Sequence, residues 1–147
     1  MNGENLPLNG EKMLEIKSKK VLLNGEIKDY FNFLNDLNNY QLLFPKEKIS
    51  DWKSGFDFCS FKVQNVYTLE MIKVSTENKL INLKSGDSSP FKFTIKITLL
   101  KEENHNCSAQ IFCEANLNAG LKMMVGKPLN ELFNFMASQI EKAISAD

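Results

Sequence analysis

Between Phe91 and Leu100 the chain reads FKFTIKITLL, and every second residue is apolar. Phe91, Phe93, Ile95, Ile97 and Leu99 alternate with Lys92, Thr94, Lys96 and Thr98. Side chains on a strand point to opposite faces in turn, so this stretch is a strand with one dry and one wet face. Residues 107–117 repeat the pattern, with Cys107, Ala109, Ile111, Cys113, Ala115 and Leu117 on the dry side, and the polar 101–106 between them makes a hairpin loop. A dry face must be covered. Residues 118–146 supply a cover: Val125, Leu129, Leu132, Phe133, Met136, Ile140, Ala143 and Ile144 return at the spacing of a 3.6-residue period and form one apolar stripe on a long helix.

The rest of the chain supplies the remaining wall. Residues 1–12 read as a polar leader, and 13–23 as a first strand carrying Leu14, Ile16 and Val21. Asn24 is placed to cap the next helix. Residues 26–44 are helical by period, with Ile27, Tyr30, Phe31, Leu34, Leu37, Tyr40 and Phe44 on one side. Asn35, Asp36, Asn38 and Asn39 compete for backbone hydrogen bonds, which predicts two short helices broken near Asp36. Pro45 closes the second. Residues 46–54 and 56–63 read as strands; in the latter the apolar phase slips between Phe58 and Cys59, which predicts a bulge. Residues 66–75 and 79–84 form a hairpin around 76–78, and SGDSSP at 85–90 is a loop. Short connections between consecutive strands make the sheet antiparallel, and a sheet of seven twisted strands curls. The expectation is an α+β domain whose curled sheet grips the terminal helix, with the short helix pair closing one end.

Composition narrows the functions open to such a chain. At 147 residues it forms one domain with a substantial core. The 18 basic residues balance 18 acidic ones, so no net field steers it to nucleic acid. Every basic residue is lysine; without arginine no bidentate fork exists for phosphate, carboxylate or guanine. The many asparagines beside the missing arginines fit a coding bias toward AT-rich codons. Cys59, Cys107 and Cys113 are odd in number and widely spaced, and one histidine accompanies them. That excludes an ordinary structural zinc site and points to buried, reduced thiols in a cytoplasmic protein. No signal sequence opens the chain, and no apolar run is long enough for a bilayer. His105 sits in the polar 101–106 loop, Glu70 and Glu114 alternate out of phase with their apolar neighbours, and no carboxylate pair shares the dry face. A nucleophile–histidine arrangement is therefore not expected, nor any metal or cofactor.

Three stretches carry a family resemblance. They are EIKDYFNFLNDLNNYQLLFPKEKISDW at 26–52, the alternating FKFTIKITL, and AGLKMMVGKPLNELFNFMASQIEKAI at 119–144. Together with the order of elements they resemble the START-like or SRPBCC superfamily, the group of the birch-pollen allergen, polyketide cyclases and lipid-transfer domains. The resemblance spans nearly all of 13–146 and implies a single helix-grip domain over 13–147. It also implies a deep apolar cavity between sheet and helix, used in that group for lipids, sterols, polyketides or hormones.

The residues expected to line this cavity are Tyr40 and Phe44 of the helix pair, Phe61, Tyr67, Leu69 and Met71 of the middle strands, and Phe93, Ile95, Ile111 and Cys113 of the last two. Leu121, Met124, Phe133 and Met136 complete it from the helix. Of the polar-tipped residues Tyr40, Ser60, Tyr67, Thr68 and Cys113, Tyr67 shares the phase of Leu69 and Met71 and should face inward. Its hydroxyl needs a partner, either a ligand oxygen or a backbone carbonyl. The methionines more often fill a core, and the second reading is an adaptable lining. Gly126-Lys127-Pro128 predicts either a kink that could hinge the mouth or the first turn of the helix proper. The function expected is non-catalytic binding of a hydrophobic or amphipathic small molecule by a monomer or weak homodimer, with no nucleic-acid or integral-membrane partner. The alternatives are a cyclase- or hydratase-type enzyme, which needs a buried acid or base, and a filled-core interaction module.

Overall fold

A computed structural model describes residues 11–103 and 106–145. Residues 1–10 of the expected leader and His105 lie outside the described residues, while Glu11 and Lys12 open the first strand. Among the described residues, eight strands, two α-helices and one 3-10 helix are arranged in the order β1 (Glu11–Lys17), β2 (Val21–Leu23), α1 (Ile27–Asn35), the 3-10 helix (Leu37–Leu43), β3 (Ile49–Ser54), β4 (Phe58–Val63), β5 (Tyr67–Glu77), β6 (Leu80–Ser85), β7 (Lys92–Lys101), β8 (Cys107–Asn118) and α2 (Ala119–Ser145). The strands form one antiparallel sheet in the order β1-β8-β7-β6-β5-β4-β3, with β2 also on β8.

The first expected strand is therefore present in two pieces, and Ser18 explains the break. Lys17 faces Phe112 and Val21 faces Ala109, so three residues of one strand oppose two of the other. Ser18 absorbs the extra residue. Its N–H donates to the Ile111 carbonyl, and its Oγ accepts from the Ile111 N–H, each at 2.9 Å. A second correction concerns the bulge. It lies in β3, between Ser50 and Lys53, where Asp51 takes a φ of 55°, and β4 pairs with β5 without interruption. Phe56 precedes β4 and Phe58 faces outward, which accounts for the slip of apolar phase.

The helix pair breaks at Asp36. Its Oδ1 accepts from the Asn38 N–H at 3.0 Å, replacing an intrahelical bond with a side-chain cap. The expected cap at Asn24 does not form: Glu26 is the N-cap of α1 and makes no side-chain bond, while the Asn24 carbonyl accepts from Tyr30 Oη. Asn118, by contrast, caps α2, accepting from the Leu121 N–H at 2.8 Å.

α2 runs unbroken from Ala119 through Pro128. The reading of Pro128 as a helix start is thus set aside, since Pro128 lies inside the helix and leaves the Met124 carbonyl without its usual donor. The helix spans the mouth of the curled sheet. Gly126 faces the Leu14 side chain of β1 on one side, and on the other Pro128, Glu131 and Leu132 line a hollow together with Val63 and Gln64 of the β4–β5 turn. Val125, Leu129, Leu132, Phe133, Met136, Ile140 and Ala143 are buried, as the stripe predicts, and they join the inward residues of β4 to β8 in one apolar core.

Candidate functional site

Strand direction sorts the molecule into two ends. At one end lie the β4–β5 turn, the β6–β7 loop, the end of β8 and the start of α2. At the other lie the β5–β6 and β7–β8 hairpin tips and the start of α1.

The expected lining residues meet between sheet and helix, but most of them meet one another. Tyr40, Leu69, Met71, Ile111 and Met136 have no exposed surface at all, and Phe61, Ile95, Cys113 and Phe133 have about 1%. A fully enclosed side chain borders no void that admits water, so the middle of the sheet–helix interface is packed solid. Phe44, Phe61 and Trp52 fill the helix-pair side, with ring centroids 4.7 and 5.3 Å apart along the row. Tyr40 is a structural bolt, because its Oη donates to the Leu34 carbonyl at 2.7 Å. Burial, then nearby Cys59, holds its pKa well above the ordinary tyrosine value. Ser60 and Thr68 alternate with the buried Phe61 and Leu69 and so belong to the outer face.

The first-named end is different. Tyr67 points inward beside Phe91, at 6.1 Å between ring centroids, and Phe91 meets Phe93 at 5.9 Å. The Tyr67 hydroxyl is shielded from solvent and has no hydrogen-bond partner among the described residues. Burial pushes its pKa up to about 12. At this same end the start of α2 is thinly anchored. Within 119–124 only Leu121 is even half-buried; Met123 is 88% and Met124 63% exposed. Met124 thus stands outside the interior it was expected to line, since the first residue of α2 to be buried is Val125. Phe91, immediately before β7 and in phase with Phe93, belongs with this cluster and was legible from the alternation.

Glu70 departs from the expectation that it faces water. It is half-buried, and its Oε1 accepts from the Ser88 N–H at 2.9 Å, while its main chain takes both Ser89 Oγ and the Gly86 N–H. The 85–90 loop is thereby fastened to β5 next to Tyr67. All three cysteines are free and buried. Burial first, then a neighbouring carboxylate, pushes Cys59 and Cys113 up to about 12. Among the described residues no three His, Cys, Asp or Glu side chains gather as a metal site, and no helix is long and apolar enough to cross a membrane.

Hollows of several hundred Å³ lie around the periphery. One of about 540 Å³ sits outside the sheet by the 85–90 loop, bordered by Met13, Phe93 and Glu114. Another of about 590 Å³ lies at the far end, between α1 and the hairpin tips. Of the expected lining residues, Phe93 alone borders one of these.

With this geometry the chain superposes on norcoclaurine synthase from Thalictrum flavum, solved with dopamine and hydroxybenzaldehyde, at a TM-score of 0.68 and 12% identity, over 93% of this chain and 89% of that one. It superposes on a START superfamily protein from Mycobacterium smegmatis at 0.65 and 11%, over 91% and 97%. The chain has the START-like fold. A Staphylococcus aureus protein of unknown function shares this START-like arrangement at 0.70 and 9%, over 92% and 96%. No protein-family model matches the sequence, and no curated protein matches it. At such identities the START-like likeness is one of fold, held by the pattern of dry and wet positions.

Proposed function

We propose that this chain binds a hydrophobic or amphipathic small molecule at the Tyr67 end of the sheet, beneath the first two turns of α2, without catalysing a reaction. The observation that carries the reading is the Tyr67 hydroxyl. A buried hydroxyl without a partner costs roughly 1–3 kcal/mol, and a ligand oxygen arriving beside Phe91 and Phe93 relieves that cost. The six exposed or half-buried residues at 119–124 give the ligand a way in, since displacing them uncovers little core. The break in the hydrogen-bond ladder at Pro128 supplies the hinge. Phe93 and Leu121 would contact the ligand first, with Leu69, Met71 and Ile95 beneath. A solved neighbour of the same fold holds aromatic small molecules. Tyr67 keeps its proton far above neutral pH, so at this end it acts as a neutral hydrogen-bonding group and not as a base.

The test is titration of the purified protein with a fluorescent fatty-acid probe, beside native mass spectrometry of the protein as isolated. The expected result is uptake of one apolar ligand, with Tyr67→Phe weakening it about 3–10-fold, the share of one neutral hydrogen bond. No uptake, or equal affinity in the Tyr67→Phe protein, overturns the reading.

A further inference from the structure

The hollow at the far end has a chemistry of its own. Its floor is apolar: Ile27 and Phe31 lie one helical turn apart on α1, both half-buried, and Cys107 closes the floor from β8. Its rim is basic. Lys28 of α1, Lys79 of the β5–β6 turn and Lys101 at the end of β7 come from three separate elements and converge on it, against the single carboxylate of Glu26. At about 590 Å³ it falls within the range of small-molecule sites.

The β5–β6 turn adds an independent observation. Asn78 and Lys79 both adopt left-handed backbone, with φ of 39° and 73°, in a two-residue hairpin. Asparagine suits such a turn, and glycine is the residue that fits its second position without strain. Lysine stands there instead, exposed and part of the lining of the hollow.

We propose that this hollow is a second binding site, for a small amphipathic anion: an aryl or alkyl group seated on Ile27 and Phe31, with a carboxylate or phosphate head among Lys28, Lys79 and Lys101. The three lysines outnumber the one glutamate, so charge complementarity selects an anion over a neutral or cationic ligand of the same body. Lysine offers point charges and no bidentate fork, so the head group is chosen by charge more than by shape. Binding weakens as salt is raised, because the rim faces solvent. The site shares no lining residue with the Tyr67 end and stands or falls separately from it.

The experiment is an amide-resolved NMR titration of the full chain with naphthalene-2-carboxylate, with 2-naphthalenemethanol as the neutral counterpart. The carboxylate is expected to shift the amides of Ile27, Phe31, Lys79 and Cys107 saturably, and the alcohol to bind at least about fivefold more weakly there. Lys28→Gln and Lys101→Gln each weaken the carboxylate about 2–5-fold, and Glu26→Gln tightens it. Lys79→Gly is the sharpest arm. It relieves the backbone, so the melting temperature holds or rises, while affinity falls. Tyr67→Phe leaves this titration unchanged. The proposal is overturned if the carboxylate shifts no amide in this group, if acid and alcohol bind alike, or if Lys79→Gly leaves affinity as it was.

Discussion

Lys73 Nζ of β5 donates to the main-chain carbonyl of Asn35 at 2.6 Å and to its side-chain oxygen at 3.0 Å. Asn35 is the last residue of α1, so a cation caps the negative end of that helix from the sheet. The same ammonium lies 3.3 Å from Asp57 Oδ1 and 3.7 Å from the centre of the Phe56 ring. Its side chain is only 10% exposed, whereas Asp57 is 71% exposed, so the helix carbonyl and the ring matter more than the ion pair. Lys73→Met keeps the stem and removes the donor. It should cost about 1.5–3 kcal/mol in urea unfolding, the range for a charge-assisted hydrogen bond, and Asp57→Asn less than about 1 kcal/mol.

Tyr67→Phe should act on stability and binding with opposite signs. Without ligand the variant gains roughly 1–2 kcal/mol, because the unpartnered buried hydroxyl is gone. With saturating ligand the gain shrinks or reverses, because the wild type then has its partner. Thermal melts with and without the fatty-acid probe check both halves.

Gly86 is held by contact, not by conformation. A Cβ there would overlap the Glu70 side chain, including its Cγ, which cannot swing clear without releasing the Ser88 N–H. Gly86→Ala should therefore destabilise by about 1–3 kcal/mol. Adding Glu70→Ala should recover part of that loss, so the two changes are non-additive in a double-mutant cycle.

Alkali should unfold the protein through its thiols. Cys59 and Cys113 titrate near 12 in the fold, against about 8.5 in an unfolded chain. Below pH 8.5 both states hold the protons and nothing is lost. Between about 8.5 and 12 only the unfolded state releases them, so stability falls with rising pH, by up to about 1.4 kcal/mol per pH unit per thiol. Urea midpoints measured from pH 7 to 11 should show this fall, and it should be shallower in Cys59→Ala and Cys113→Ala proteins. Native protein at pH 8 should also react far more slowly with a thiol reagent than protein in urea.

Period determined most of this fold. The alternation of Phe93, Ile95, Ile97 and Leu99, and of Cys107 to Leu117, placed each of those residues on the buried face, because a strand offers only two faces. The stripe from Val125 to Ala143 made α2 a core helix, and the polar cluster around Asp36 broke the helix pair, since both arise from bonds within a few residues of each other. The START-like arrangement was legible for the same reason.

Tertiary structure decided what depends on residues far apart in the chain. Ser18 splits the first strand only because Ile111 lies across from it. The bulge belongs to β3 because register is a property of two strands together. Whether the interior is hollow or solid is set by side-chain volumes meeting across it, and at Tyr40, Leu69, Met71 and Met136 they meet without a gap. That left Tyr67 as the inward polar group without a partner among the described residues, while Tyr40, of the same residue type and also expected in the cavity, found the Leu34 carbonyl. Lys28, Lys79 and Lys101 carry no common signal in sequence. Only the packing of α1 against the hairpin tips of the sheet brings their three elements to one rim.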